Sequence, residues 1–101
     1  MKRIKNNSTI NILATEWLDK VNGNSYFSGT VEVNGTIIVV MPFQYGYGDQ
    51  YRYEAIKQLL KVFKLPSKEA SLSWVLEDDC RLSGISFTFN KFETLKRDMI
   101  K

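Results

Sequence analysis

Apolar positions in the first half of the chain recur at every second residue. Between Ile10 and Asp19, the residues Ile12, Ala14 and Leu18 alternate with Leu13, Thr15 and Trp17. Between Ser25 and Val33, Phe27, Val31 and Val33 alternate with Ser28, Thr30 and Glu32, with Gly29 in the apolar series. A period of two sends successive side chains to opposite faces, so each segment is predicted as a strand with one buried face. Asn22-Gly23 and Asn34-Gly35 follow these segments. Asn-Gly accepts the positive φ values of tight turns, and the pattern therefore predicts an antiparallel meander. Its third strand, Thr36 to Met41, is apolar on both faces, and Pro42 is expected to stop it.

Beyond the loop Phe43-Gln44-Tyr45-Gly46-Tyr47-Gly48 the period changes. Ile56, Leu59, Leu60 and Phe63 recur at i, i+3, i+4 and i+7, which predicts a helix over Gln50 to Lys64 with Asp49 as its cap. Pro66 is expected to open a second helix, with Leu72, Val75, Leu76 and Cys80 on one face, Trp74 to the side and Gly84 at the exit. Ile85 to Asn90 alternates again and predicts a fourth strand. Met1–Ser8 is read as a polar, basic arm outside the fold, and residues 91–101 as a charged tail. The expected fold is α+β with the order βββααβ. It is a two-layer sandwich whose antiparallel sheet of about four strands (the meander plus the C-terminal strand) is covered on one face by two helices. The uncovered face would carry the apolar third strand with Trp17 and Tyr26, which points to a homodimer or a protein partner there.

Composition narrows the chemistry. With 101 residues the chain is expected to form a single domain over residues 1–101. It contains no histidine and one cysteine, Cys80, so the commonest general base and the commonest transition-metal ligand are both missing. No metal, cofactor or disulfide is expected, and a reducing, cytoplasmic setting is the natural reading. The longest apolar run, Ile37 to Met41, is far below the roughly 20 residues of a membrane helix. Glu77, Asp78 and Asp79 are adjacent on a helix and do not share a face, which makes a poor metal cage. Cys80, on an apolar face with no imidazole to activate it, is expected to be buried and inert. An enzyme built on carboxylates would need Asp49, Glu54 and a lysine gathered in one pocket; a binding protein, not an enzyme, is the expectation.

Phe43, Tyr45, Tyr47, Tyr51 and Tyr53 crowd a short glycine-containing stretch, more rings than a core edge requires. Gly46-Tyr47-Gly48 before a helix could form an anion-binding turn, but Asp49 brings its own negative charge to that position. Tyr45, Tyr47, Tyr51 and Arg52 are the expected anchors for a protein partner, since Tyr and Arg are enriched at interface hot spots. The alternative partner is nucleic acid or a nucleotide. The rings would then stack on bases while Lys57, Lys61 and Lys64 on one helix face, with Lys96 and Arg97 in the tail, meet phosphates. The net charge of +3 permits this alternative without demanding it.

Trp17-Leu18-Asp19-Lys20-Val21-Asn22-Gly23-Asn24-Ser25-Tyr26-Phe27 and Pro42-Phe43-Gln44-Tyr45-Gly46-Tyr47-Gly48-Asp49-Gln50-Tyr51 together resemble a family of small accessory proteins encoded by bacteriophages and related mobile elements. The similarity continues more weakly through Trp74, Gly84-Ile85 and Leu95-Lys96-Arg97-Asp98. The resemblance implies a setting, not a reaction: a protein made in the cytoplasm of an infected bacterium that acts by binding. An inhibitor of a host or defence protein complex fits that setting.

Overall fold

A computed structural model describes residues 1–96 of the chain. They run β1 (Lys2–Arg3), β2 (Thr9–Asp19), β3 (Asn24–Val33), β4 (Thr36–Tyr45), α1 (Gln50–Leu59), β5 (Phe63–Lys64), α2 (Trp74–Leu82) and β6 (Ser86–Glu93). The long elements follow the expected order βββααβ. Four strands form one sheet in the order β4-β3-β2-β6, and the two short strands β1 and β5 pair in parallel. Asn34 and Gly35 both take the positive φ their hairpin needs, at 52° and 84°. The preceding turn is longer than an Asn-Gly pair alone. Asp19 accepts from the backbone N–H groups of Val21 and Asn22 and from the Asn22 amide, and Gly23 closes the turn at φ 70°.

The sheet is mixed and not antiparallel throughout as expected, because β6 runs parallel to β2 whereas both hairpin pairs are antiparallel. Its direction follows from the connection: a strand reached through helices that cross the sheet returns parallel. Pro42 does not stop β4, which continues to Tyr45. β4 is an edge strand, and the β3–β4 register shifts between Phe27 and Gly29, opposite Pro42 and Phe43. An edge bulge is where a residue without an N–H can be accommodated.

Ile10, Ile12 and Ala14 on β2, Val31 on β3 and Met41 on β4 have no exposed surface; nor do Ala55, Ile56 and Leu59 on α1 or Leu76 and Cys80 on α2. Burial of each large aliphatic side chain contributes about 1.5–3 kcal/mol. α1 lies against β2, β3 and β4, and α2 against β6, so both helices cover the same face. α1 stops at Leu59, short of the expected Lys64, and Phe63-Lys64 instead pair with Lys2-Arg3. α2 starts at Trp74, well after Pro66, because Ser73 supplies the cap: its hydroxyl accepts from Leu76 N–H at 3.1 Å. At the other end Gly84, at φ 75°, donates to Arg81 O while Ile85 donates to Cys80 O, closing a Schellman motif.

Met1–Ser8 is not a free arm. Ile4 and Ser8 are buried, and Ile4 N–H donates to Lys64 O at 3.0 Å. One apolar residue in a basic stretch is enough to dock it. At the other end of the chain, Lys91 to Glu93 belong to β6; the remainder of the expected tail beyond Lys96, Arg97 included, lies outside the described residues.

Candidate binding surface

The helices leave one face of the sheet open, and register decides what gathers on it. Trp17 on β2 pairs with Tyr26 on β3, and Tyr26 with Tyr45 on β4. Paired residues share a face, so three rings from three strands meet on the open side. Phe43, carried by the bulge of β4, joins them. Its ring stacks on Tyr26 at 4.9 Å between centroids, Trp17 stacks on Tyr26 at 5.6 Å, and Trp17 and Phe43 lie 6.4 Å apart. Trp17, Tyr26 and Phe43 therefore form a closed triangle of rings. Ser28, on the same face, is fully buried, which requires its larger neighbours to lean over it. Tyr45 meets the edge of Tyr26, Tyr47 meets the edge of Tyr45, and these two tyrosines remain 56% and 60% exposed. Lys96 Nζ sits 5.1 Å from the Trp17 ring, a cation–π contact at the rim. Leu13, Ile37, Val40 and Phe92 extend the apolar surface along the same face, all of them exposed.

The glycine turn that carries Tyr47 is held in place from below. Gly46 N–H donates to Ser25 O at 3.0 Å, and an added Cβ at Gly46 would press on the Phe27 ring at 2.6 Å. Lys91 Nζ donates to Gly48 O at 2.8 Å and to Glu16 Oε2 at 3.0 Å. The turn thus passes under the sheet end from β4 towards β6. Asp49 follows it but does not cap α1 with its side chain; it pairs with Arg52 at 3.5 Å, and Gln50 Oε1 accepts from Tyr47 N–H instead. That occupied geometry leaves the turn no anion site of its own.

The expected anchors divide. Tyr45 and Tyr47 stand together on the exposed surface. Tyr51 does not: it is 3% exposed, packed into the core beneath α1. Arg52 Nε donates to the Tyr51 hydroxyl at 3.2 Å and its guanidinium lies 4.7 Å from the Phe89 ring on the inner face. The hydrogen bond to Tyr51 holds the Arg52 pKa above its ordinary value. Tyr51 and Arg52 fix the first turn of α1 to the sheet and are not part of the open face. Trp17 and Tyr26, expected on the uncovered face, stand beside Tyr45 and Tyr47 instead, joined by Phe43; what the sequence lacked was the register that gathers residues 17, 26 and 45. The nucleic-acid set divides as well. Lys57 is on α1, Lys61 is in the turn after it and Lys64 is in β5, so they form no helical stripe; Lys57 lines a groove with Tyr45, whereas Lys64 lies at the opposite end of the sheet from Lys96.

The chemistry available is that of contact. Among the described residues no group of three or more His, Cys, Asp or Glu side chains is placed to hold a metal ion. A groove of about 630 Å³ beside the aromatic end gathers Glu54 and Lys57 with Tyr45 and Tyr53, but not Asp49. Burial, with the neighbouring Asp79 and Glu77 carboxylates, pushes the Cys80 thiol up to about 11, so it stays protonated and poorly nucleophilic near neutral pH. The Asn22 amide holds the Asp19 carboxyl below its usual value, consistent with its part in the turn. No helix among the described residues is long and apolar enough to cross a membrane. Neither a family model, nor a curated protein, nor a solved structure matches the chain.

Proposed function

We propose that this chain is a small phage-type accessory protein of the bacterial cytoplasm that acts by binding, and that it inhibits a host or defence protein complex through the aromatic end of its open sheet face. The carrying observation is the cluster of Trp17, Tyr26 and Phe43 with Tyr45 and Tyr47 projecting beside it. Rigid rings with a polar tip give large contact area at small entropic cost, which is why Tyr and Trp dominate interface hot spots. A protein partner suits this surface better than a single-stranded nucleic acid. Base stacking needs ring faces open to solvent, whereas the faces of Tyr26, Trp17 and Phe43 are turned to one another. Lys96 is moreover the one cation, among the described residues, over the ring triangle, and a single contact of this kind does not follow a phosphate backbone.

The test is capture of a partner from bacterial lysate on the tagged chain, after nuclease treatment and at high salt, compared with Tyr45→Ser/Tyr47→Ser. Both side chains are more than half exposed, so the variant should fold. Loss of one protein from the variant, with an unchanged melting curve, is the expected result. Retention of that protein by the variant places its contact elsewhere. A second copy of the chain on this face would instead appear as a concentration-dependent dimer in sedimentation, abolished in the same variant.

A further inference from the structure

The opposite end of the molecule carries a feature that the open face does not use. The parallel pair of β1 and β5 sets Arg3 directly beside Lys64. Two grooves flank that pair. One is lined by Arg3, Lys64 and Lys68, together with the carboxylates of Glu69 and Asp79; the other by Lys2, Arg3 and Lys5. Among the described residues none of these five cations is in an ion pair. Asp79 already accepts from Ser67 Oγ at 2.7 Å. Like charges side by side on neighbouring strands destabilise the pairing. Folding alone would favour a neutral or oppositely charged residue at one of the two positions. The strand pair is also fixed, since Ile4 is buried directly after it and its N–H donates to Lys64 O. The cations are therefore presented from a held backbone, and an anion that spans several of them would relieve their mutual repulsion.

We propose that this basic end binds the phosphate backbone of nucleic acid, with Arg3 and Lys64 at the centre of the contact and Lys2, Lys5 and Lys68 around it. The spacing favours a polyanion over a single small anion. Two grooves meet at one arginine, and a chain of phosphates can run from one into the other. Arg3 and Lys64 stand side by side on strands about 4.8 Å apart, while Lys2 and Arg3, successive in β1, point to opposite sides, so the cations are spread too widely for one small anion. β2 separates this end from the aromatic cluster by the length from Thr9 to Trp17, so the two surfaces are independent. Contact with backbone phosphates carries no base sequence, and recognition is expected to be non-specific.

The experiment is fluorescence anisotropy of a labelled 20-base-pair duplex titrated with the full chain between 50 and 200 mM NaCl. Engagement of three to four phosphates gives a log–log slope of about −3 and an affinity loss of roughly 100-fold over that range. Arg3→Gln/Lys64→Gln should reduce the slope by about 2, close to one for each cation removed. Should that pair disturb the β1–β5 ribbon, seen as a lowered melting temperature, Lys5→Gln/Lys68→Gln removes two exposed cations from outside the ribbon and should reduce the slope by a similar amount. Lys96→Gln, at the other end, should leave the slope unchanged. No binding at 50 mM salt overturns the proposal. So does a slope that survives both double variants, or polyglutamate competing as well as unlabelled duplex.

Discussion

Ile12 and Leu13 are neighbours in β2, yet Ile12 has no exposed surface and Leu13 keeps 42% of its own. The same contrast runs across the sheet. Val31 is sealed beneath the helices while Val40, on the other face, is 55% exposed. Apolar residues of one kind thus serve two ends. Those under α1 and α2 stabilise the fold by leaving water. Those on the open face contribute little to folding, and their burial free energy is still available to a partner. The contrast separates substitutions that should unfold the chain from substitutions that should change only what it binds.

The largest expected effect lies at the buried member of the first pair. Ile12→Ala should lower unfolding free energy by about 2–5 kcal/mol through lost burial and the cavity left behind, whereas Leu13→Ala should cost well under half of that. Urea denaturation of the two variants measures both. Equal losses would break the comparison, since they would mean that the open face is already covered in solution. Gly29→Ala comes next. Gly29 pairs with Ala14 where β2 and β3 approach closely, and an added Cβ would collide with the Leu13 carbonyl oxygen and lie 2.9 Å from Ala14 Cα. Both are backbone atoms that cannot swing aside, so a loss of about 3 kcal/mol is expected, with the melting temperature as readout.

Cys80 reports how dry the covered side is. Burial pushes its thiol up to about 11 in the folded chain, from the ordinary value of 9.0. Between those values the unfolded chain releases the proton and the folded chain keeps it. Cys80 therefore contributes nothing to the pH dependence below about pH 8, and stability falls as pH rises through 9 towards 11, by at most about 3 kcal/mol. Urea midpoints from pH 8 to 10.5 should decline more steeply for the native sequence than for Cys80→Ala. Parallel curves would show that water reaches the thiol.

The strands and turns were legible because alternation and Asn-Gly are local signals, sufficient to place the meander and its helix-covered face. The features that were not legible depend on distant parts of the chain. Pro42 reads as a stop unless β4 is known to be an edge, and Met1–Ser8 reads as an arm until Ile4 meets β5. Pro66 looked like a helix start, but Ser73, with its hydroxyl on Leu76 N–H, was the stronger one. At the site, Tyr45 and Tyr47 were readable as exposed rings. Tyr51 could have been recognised as buried, since it lies four residues before Ala55 and eight before Leu59, on the apolar stripe of α1. The triangle of Trp17, Tyr26 and Phe43 needed the pairing register and the bulge, neither of which has a local signature. The Arg3–Lys64 pair needed a strand pairing between residues 61 positions apart.

The smallest expected change is also the sharpest test of the two faces. Val→Thr keeps shape and strand propensity while exchanging a methyl group for a hydroxyl. At Val31 the hydroxyl would enter a site with no exposed surface and give up its hydrogen bonds to water, costing about 1–3 kcal/mol. At Val40 the same hydroxyl stays in water, and a change within about 0.5 kcal/mol is expected. Chemical denaturation of the two variants isolates the environment, because the chemistry of the substitution is identical. A Val40→Thr variant as unstable as Val31→Thr would mean that the isolated chain already buries its open face against another copy. A neutral Val40→Thr that still weakens capture of a partner would place that partner on the apolar surface running from the aromatic cluster along β4.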